Sequence, residues 1–128
     1  MAQRLVDRNI SIDAFVASPA KRAKRTAELF CETYKKNTGD INFISALYHA
    51  PALEFYEVIK TLDDSYNTVA IFAHNPGITY FVNGLVAGVR IDNMPTCAVF
   101  AIEVDTDRWI DFTKAKKELL FFDYPKNG

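Results

Sequence analysis

Residues 68–77 read TVAIFAHNPG, and this stretch decides the fold. The run 68–73 is apolar and β-branched, with no charge on either of its alternating faces. A strand of that kind is stable where both faces are covered, as in a parallel sheet flanked by helices. His74-Asn75-Pro76-Gly77 stops it with turn chemistry, and Ile78, Phe81, Val82 and Leu85 then recur at helical spacing. Strand, fixed turn and helix together make the unit from which parallel α/β sheets are built.

The same unit recurs upstream. Residues 12–17 (IDAFVA) form a short apolar strand, and Ser18-Pro19 ends it. Serine as N-cap and proline at the first helical position would start a helix there. Ala23, Ala27, Phe30, Cys31 and Tyr34 make its apolar stripe, and lysines and arginines fill the other face. Asn37-Thr38-Gly39-Asp40 is a turn cluster, and residues 41–48 (INFISALY) alternate loosely as a strand. Pro51 opens a helix whose buried stripe is Ala52, Phe55, Ile59 and Leu62. The first nine residues read as the last turns of an amphipathic helix.

Downstream, residues 97–104 and 109–112 are expected to be strands joined by a hairpin turn at 105–107, with a last strand at 119–124. Alternating strands and helices predict an α/β fold, a three-layer αβα sandwich with a mostly parallel sheet. Nothing in residues 1–128 resembles a repeat or a linker, so one domain is expected.

Composition narrows the function. With 49% apolar residues, 128 residues suffice for one core. The net charge of −1 lacks the basic excess of a nucleic-acid binder. No apolar run approaches the roughly 20 residues that span a bilayer, and the start lacks a signal-peptide pattern. A cytoplasmic protein is expected, with Cys31 and Cys97 as reduced core thiols in apolar surroundings.

Two strand ends carry suggestive chemistry. Ligands of α/β sheets bind beyond the carboxyl ends of strands, where helix N-termini also point. Arg22 falls in the first turn of its helix, where the dipole disfavours a cation unless an anion is bound. Its planar fork suits two phosphate oxygens. The plainer reading, a solvated basic face, fits Lys21, Lys24 and Arg25. At the other end, His74 sits at the tip of a strand with Pro76 and Gly77 fixing the turn behind it. Neutral, it accepts a proton; charged, it donates to a phosphoryl oxygen. Alone it would read as a core histidine, but parallel strands would bring both ends to one edge of the sheet.

Ser18, Pro19, Arg22, Ala23 and Thr26 match an SPxxRAxxT signature, and Ala73-His74-Asn75-Pro76 matches a strand-then-histidine signature. Together, in this order, they resemble the histidine phosphatase superfamily. Leu47-Tyr48 before a helix, Trp109 and the LLFFDYP ending (residues 119–125) resemble its small phosphohistidine-phosphatase, SixA-like branch. The resemblance runs along the whole chain. It implies that Arg22 and His74 act as the second arginine and second histidine around a phosphoryl group, with Ser18 beside them. It also implies a phosphorylated protein or a small phosphoester as substrate, and no metal or organic cofactor.

The pattern breaks at one point. The family's nucleophile is a histidine in an Arg-His-Gly/Ala motif at the end of a first, central strand. This sequence has no Arg-His pair, and its two histidines are His49 and His74. Either the chain is an N-terminally truncated fragment without that strand, or it is a degenerate relative. The two intact motifs favour truncation. As it stands the chain is expected to be inactive, and the alternative function is that of a pseudo-phosphatase holding a phosphorylated ligand. His49, with Glu54 one helical turn on, is the candidate proton donor, although a histidine at a helix start is the plainer reading. Tyr48, Tyr56 and Tyr80 read as packing residues. The sequence leaves the oligomeric state open.

Overall fold

The computed structural model describes residues 1–125. The final three residues of the expected 1–128 domain lie outside the described residues. The chain groups into two compact units, one of Met1–Tyr48 and Ser65–His74, the other of His49–Asp64 and the residues from Asn75 onward. No helix is long and apolar enough to cross a membrane.

The first unit contains α1 (Ala2–Asp7), β1 (Ala14–Ala17), α2 (Lys21–Thr33), β2 (Asn42–Phe43) and β3 (Val69–Phe72). Its sheet has the order β2-β1-β3 and is parallel throughout, with Ala17 opposite both Phe43 and Phe72. β1 is the central strand, and its Val16 and Ala17 are fully buried. On α2, Ala23, Ala27, Phe30 and Cys31 are buried, as the helical spacing requires. Phe72 meets Phe30 edge-on at 5.1 Å and stacks on Phe15 at 6.2 Å, joining helix to sheet. The starts of β1 and β3 are tied by Asp13, whose Oδ2 accepts the N–H groups of Asn67 and Thr68 at 2.7 and 2.9 Å.

Two local expectations are corrected here. Ser18 is not the N-cap of α2, which begins at Lys21 with Ala20 before it. The Ser18 N–H still donates to the Phe72 carbonyl at 2.9 Å, so that residue remains in the sheet ladder. Its hydroxyl accepts the Ala20 N–H at 3.2 Å instead. The strand expected at 41–48 pairs only at Asn42 and Phe43. After Ile44 donates to the Ala17 carbonyl, the chain closes a short 3₁₀ turn at Ser45–Leu47 that ends the extended run.

The second unit contains α3 (Ala52–Lys60), α4 (Gly77–Asn83), β4 (Val99–Val104) and β5 (Lys117–Asp123). Phe55 stacks on Phe81 at 4.7 Å, and Tyr56 meets Phe81 edge-on at 5.3 Å, so the two helices share an aromatic core. Gly77 makes the close approach possible, because a Cβ there would lie 2.1 Å from the Ala50 carbonyl oxygen.

β4 pairs antiparallel with β5, and residues 109–112 are no strand. They form a 3₁₀ turn at Trp109–Asp111, anchored by the Trp109 N–H on Asp64 Oδ1 at 2.9 Å. Their apolarity serves burial of Phe112 against Tyr56, not sheet pairing. The hairpin at 105–107 is absent for the same reason. Cys97 is exposed, outside β4 and in a left-handed backbone conformation (φ 59°), so of the two thiols only Cys31 is in the core.

Candidate functional site

Three of the residues singled out from the sequence belong to the first unit. β1 and β3 run parallel in matched register, so Ser18 and His74, which follow them, emerge at the same edge of the sheet. The bond from the Ser18 N–H to the Phe72 carbonyl clasps the two ends together, and Ser18 is wholly buried. Arg22, the second residue of α2, rises from that edge because only Ser18, Pro19 and Ala20 intervene between β1 and the helix.

Arg22 is exposed, and among the described residues its guanidinium has neither an ion-pair nor a hydrogen-bond partner. The first turn of α2 holds no acid to offset Lys21, Arg22 and Lys24. Cations crowded at the positive end of a helix repel one another and the dipole, and an anion there relieves both. Lys24 is partly engaged elsewhere, with its ammonium 5.8 Å from the centre of the Phe43 ring.

His74 is half-buried, with Nδ1 inside the protein. The ring of Tyr48 meets it edge-on, centroids 6.0 Å apart at 73°. Tyr48 is itself 52% exposed, so it is a wall of the histidine's surroundings and no part of the core. The sequence reading took it for packing. Its place after Leu47, at the end of the β2 segment, was the available signal, since β2 delivers its C-terminus to the same edge as β1.

His49 falls in the second unit, exposed and with a left-handed backbone (φ 52°). Glu54, in the first turn of α3, is half-buried. Also in the second unit is a polar latch missed in the sequence. Thr79 Oγ1 donates to Asn75 Oδ1, Asn75 Nδ2 donates to the Met94 carbonyl at 3.0 Å, and the Met94 N–H returns to Thr79 Oγ1 at 3.0 Å. Asn83 repeats the device, bonding both the N–H and the carbonyl of Ile91. The segment after α4 is therefore pinned by side chains on the helix and its entry turn. Among the described residues, no three His, Cys, Asp or Glu side chains cluster as a metal site requires.

No protein-family model matches the sequence, and no curated protein does. Solved structures match the fold. The protein histidine phosphatase SixA complexed with tungstate gives a TM-score of 0.79 at 17% identity, over 97% of this chain and 76% of that one. A structure assigned as a SixA phosphohistidine phosphatase from Nakamurella multipartitia gives 0.76 at 17% identity, over 98% and 78% of the two chains. One from Agrobacterium tumefaciens gives 0.70 at 19% identity, over 97% and 77%. The chain has the α/β fold of the SixA phosphohistidine phosphatases and spans about three-quarters of their length.

Proposed function

We propose that this chain carries the phosphoryl-binding part of a phosphohistidine-phosphatase site, in which Arg22 and His74 hold a phosphoryl oxyanion beside Ser18. The observation that supports it most is the clasp between Ser18 N–H and the Phe72 carbonyl, because it puts both motif residues at one sheet edge. Arg22 supplies two parallel donors and a permanent charge. His74 supplies a third donor when protonated. The fold likeness to a SixA structure holding tungstate, a tetrahedral oxyanion, supports the same chemistry. The substrate class is a phosphorylated histidine on a protein, or a small phosphoester, handled without metal or organic cofactor.

The enzyme reading requires a nucleophilic histidine that attacks phosphorus, and these 128 residues contain no Arg-His pair to provide it. His74 orients and stabilises the phosphoryl group and does not attack it. The alternative reading is a pseudo-phosphatase that retains a phosphorylated ligand without turnover. His49 remains the candidate proton donor of the enzyme reading.

Titration with phosphate, tungstate or vanadate tests the binding claim. The His74 ring resonances should move on saturation, and Arg22→Ala should remove most of the response while Lys24→Ala leaves it. Equal losses from both substitutions would mean a diffuse basic surface. On phosphohistidine peptides and aryl phosphates the chain should show no turnover above background, since loss of a covalent nucleophile typically costs several orders of magnitude. Robust hydrolysis by these residues alone would refute the role given to His74.

A further inference from the structure

An α-helix favours acids in its first turn and cations in its last, because its N-terminus carries partial positive charge. α2 is charged the other way round. Lys21, Arg22, Lys24 and Arg25 fall within its first five residues, Glu28 and Glu32 follow, and its last turn holds no base. Lys35 and Lys36, just beyond its C-terminal end, stand where the dipole favours them. A basic face that served solubility alone could carry the same side chains in the reverse order and stabilise the helix. The order present costs stability, and only a bound anion offsets it.

One phosphoryl group accounts for Arg22 and leaves three cations over. Lys21 and Arg25 are exposed and, among the described residues, have no ion-pair or hydrogen-bond partner. Arg25 lies one turn after Lys21, and the exposed Leu29 one turn after Arg25. The three therefore form a stripe on the outer face of α2, about 12 Å long at 1.5 Å per residue. Toward β2, Lys24 reaches over Phe43, an exposed aromatic at the end of that strand. All of these residues belong to the first unit. The array is too long for one tetrahedral oxyanion, and arginine and aromatic side chains are enriched in surfaces that bind proteins.

We infer that the outer face of α2, through Lys21, Arg25 and Leu29 with Lys24 and Phe43 on its flank, docks an acidic, partly apolar surface of the protein that carries the phosphoryl group. This deepens the phosphoryl-binding reading and rests on it for the place of the phosphorylated side chain. Carboxylates of the partner meet Lys21 and Arg25, and an apolar side chain covers Leu29. Complementary charge of this kind speeds encounter and selects partners more than it adds affinity.

The test uses the whole chain, isotopically labelled, and a blocked, unphosphorylated peptide of sequence Asp-Glu-Leu-Asp-Glu-Phe-Asp, titrated without tungstate and at saturating tungstate. Amide shifts should gather on residues 21–29 and at Phe43, and they should survive the tungstate. Lys21→Glu combined with Arg25→Glu should weaken the peptide at least tenfold. Because that pair puts an acid at the start of α2, it should also raise the thermal midpoint. Lys35→Glu combined with Lys36→Glu makes the same change in net charge and should leave peptide affinity within twofold. Equal losses from the two pairs would mean attraction by net charge alone, and displacement of the peptide by tungstate would mean that it merely fills the anion site. Either result overturns the inference, as does an absence of shifts at millimolar peptide. Tighter binding to phosphatidylserine vesicles, lost with the Lys21 and Arg25 reversal, would assign the face to a membrane surface and overturn it too. A peptide that docks as described while His74 ignores tungstate would refute the anion site and uphold the docking face.

Discussion

The two units differ in what holds them. In the first, three parallel strands and α2 are organised by backbone ladders and a continuous aromatic contact from Phe30 through Phe72 to Phe15. In the second, long irregular segments are held by single side chains: Asn75, Thr79 and Asn83 on the segment after α4, and Asp64 on the Trp109 turn. The candidate oxyanion residues Ser18, Arg22 and His74 all belong to the ladder-built unit. A ladder fixes strand ends to within a bond length, which is what a shared anion site needs. Single-side-chain latches give loops that change with one substitution.

The largest effect that would test this contrast is in the second unit's core. Phe55 is 1% exposed and stacked on Phe81. Phe55→Ala should cost about 3–5 kcal/mol, as truncations of buried aromatics do. The measurement is the midpoint of denaturant unfolding. A loss under 1 kcal/mol would show that α3 and α4 are held by something other than their rings.

Next comes the latch. Thr79 is 5% exposed, and its hydroxyl both donates to Asn75 and accepts from Met94. Thr79→Val keeps the shape and strands a buried Met94 N–H and the Asn75 amide oxygen, a penalty of about 1–3 kcal/mol. Exchange at Met94 should rise with it. If Met94 exchanges as before, the bonds are incidental to a loop held by packing.

The same contrast explains what could be read from residues alone. Strands 12–17 and 68–73, their common direction and the shared edge of Ser18 and His74 were legible, since local apolar runs followed at once by helix-start signals encode them. Tyr48 beside His74 was not, because an exposed aromatic looks the same whether it walls a site or caps a surface. Residues 109–112 misled because apolar residues buried by a 3₁₀ turn and by a strand have the same composition. The Ser18 cap failed because a serine at a strand end has two uses for its backbone, and the ladder to Phe72 took precedence. The latch of Asn75, Thr79 and Asn83 has a polar four-residue spacing along α4 and its entry turn, but its partners Ile91 and Met94 show no periodicity to point at them.

The smallest effect sharpens the comparison with one tyrosine from each unit. Burial raises the phenol pKa of Tyr34 in the first unit and of Tyr56 in the second. Tyr34 also donates its hydroxyl to the Ile10 carbonyl at 2.8 Å, joining the end of α2 to the approach to β1. Ionisation would remove that donor and place a charge beside a carbonyl. A folded pKa above the unfolded value, which is about 10, means a contribution fully present below that pH. It is lost as pH rises through the folded value. Tyr34→Phe should therefore cost about 0.5–1.5 kcal/mol at neutral pH, the usual net worth of one hydrogen bond. Above pH 10 the variant should also lose stability less steeply than the parent. Tyr56→Phe removes a half-buried phenol that donates no hydrogen bond to a carbonyl among the described residues, so it should flatten the alkaline slope at a smaller cost near neutrality. An alkaline slope unchanged by Tyr34→Phe would mean that the phenol ionises as readily in the folded chain as in the unfolded one, and that the tie to Ile10 contributes nothing.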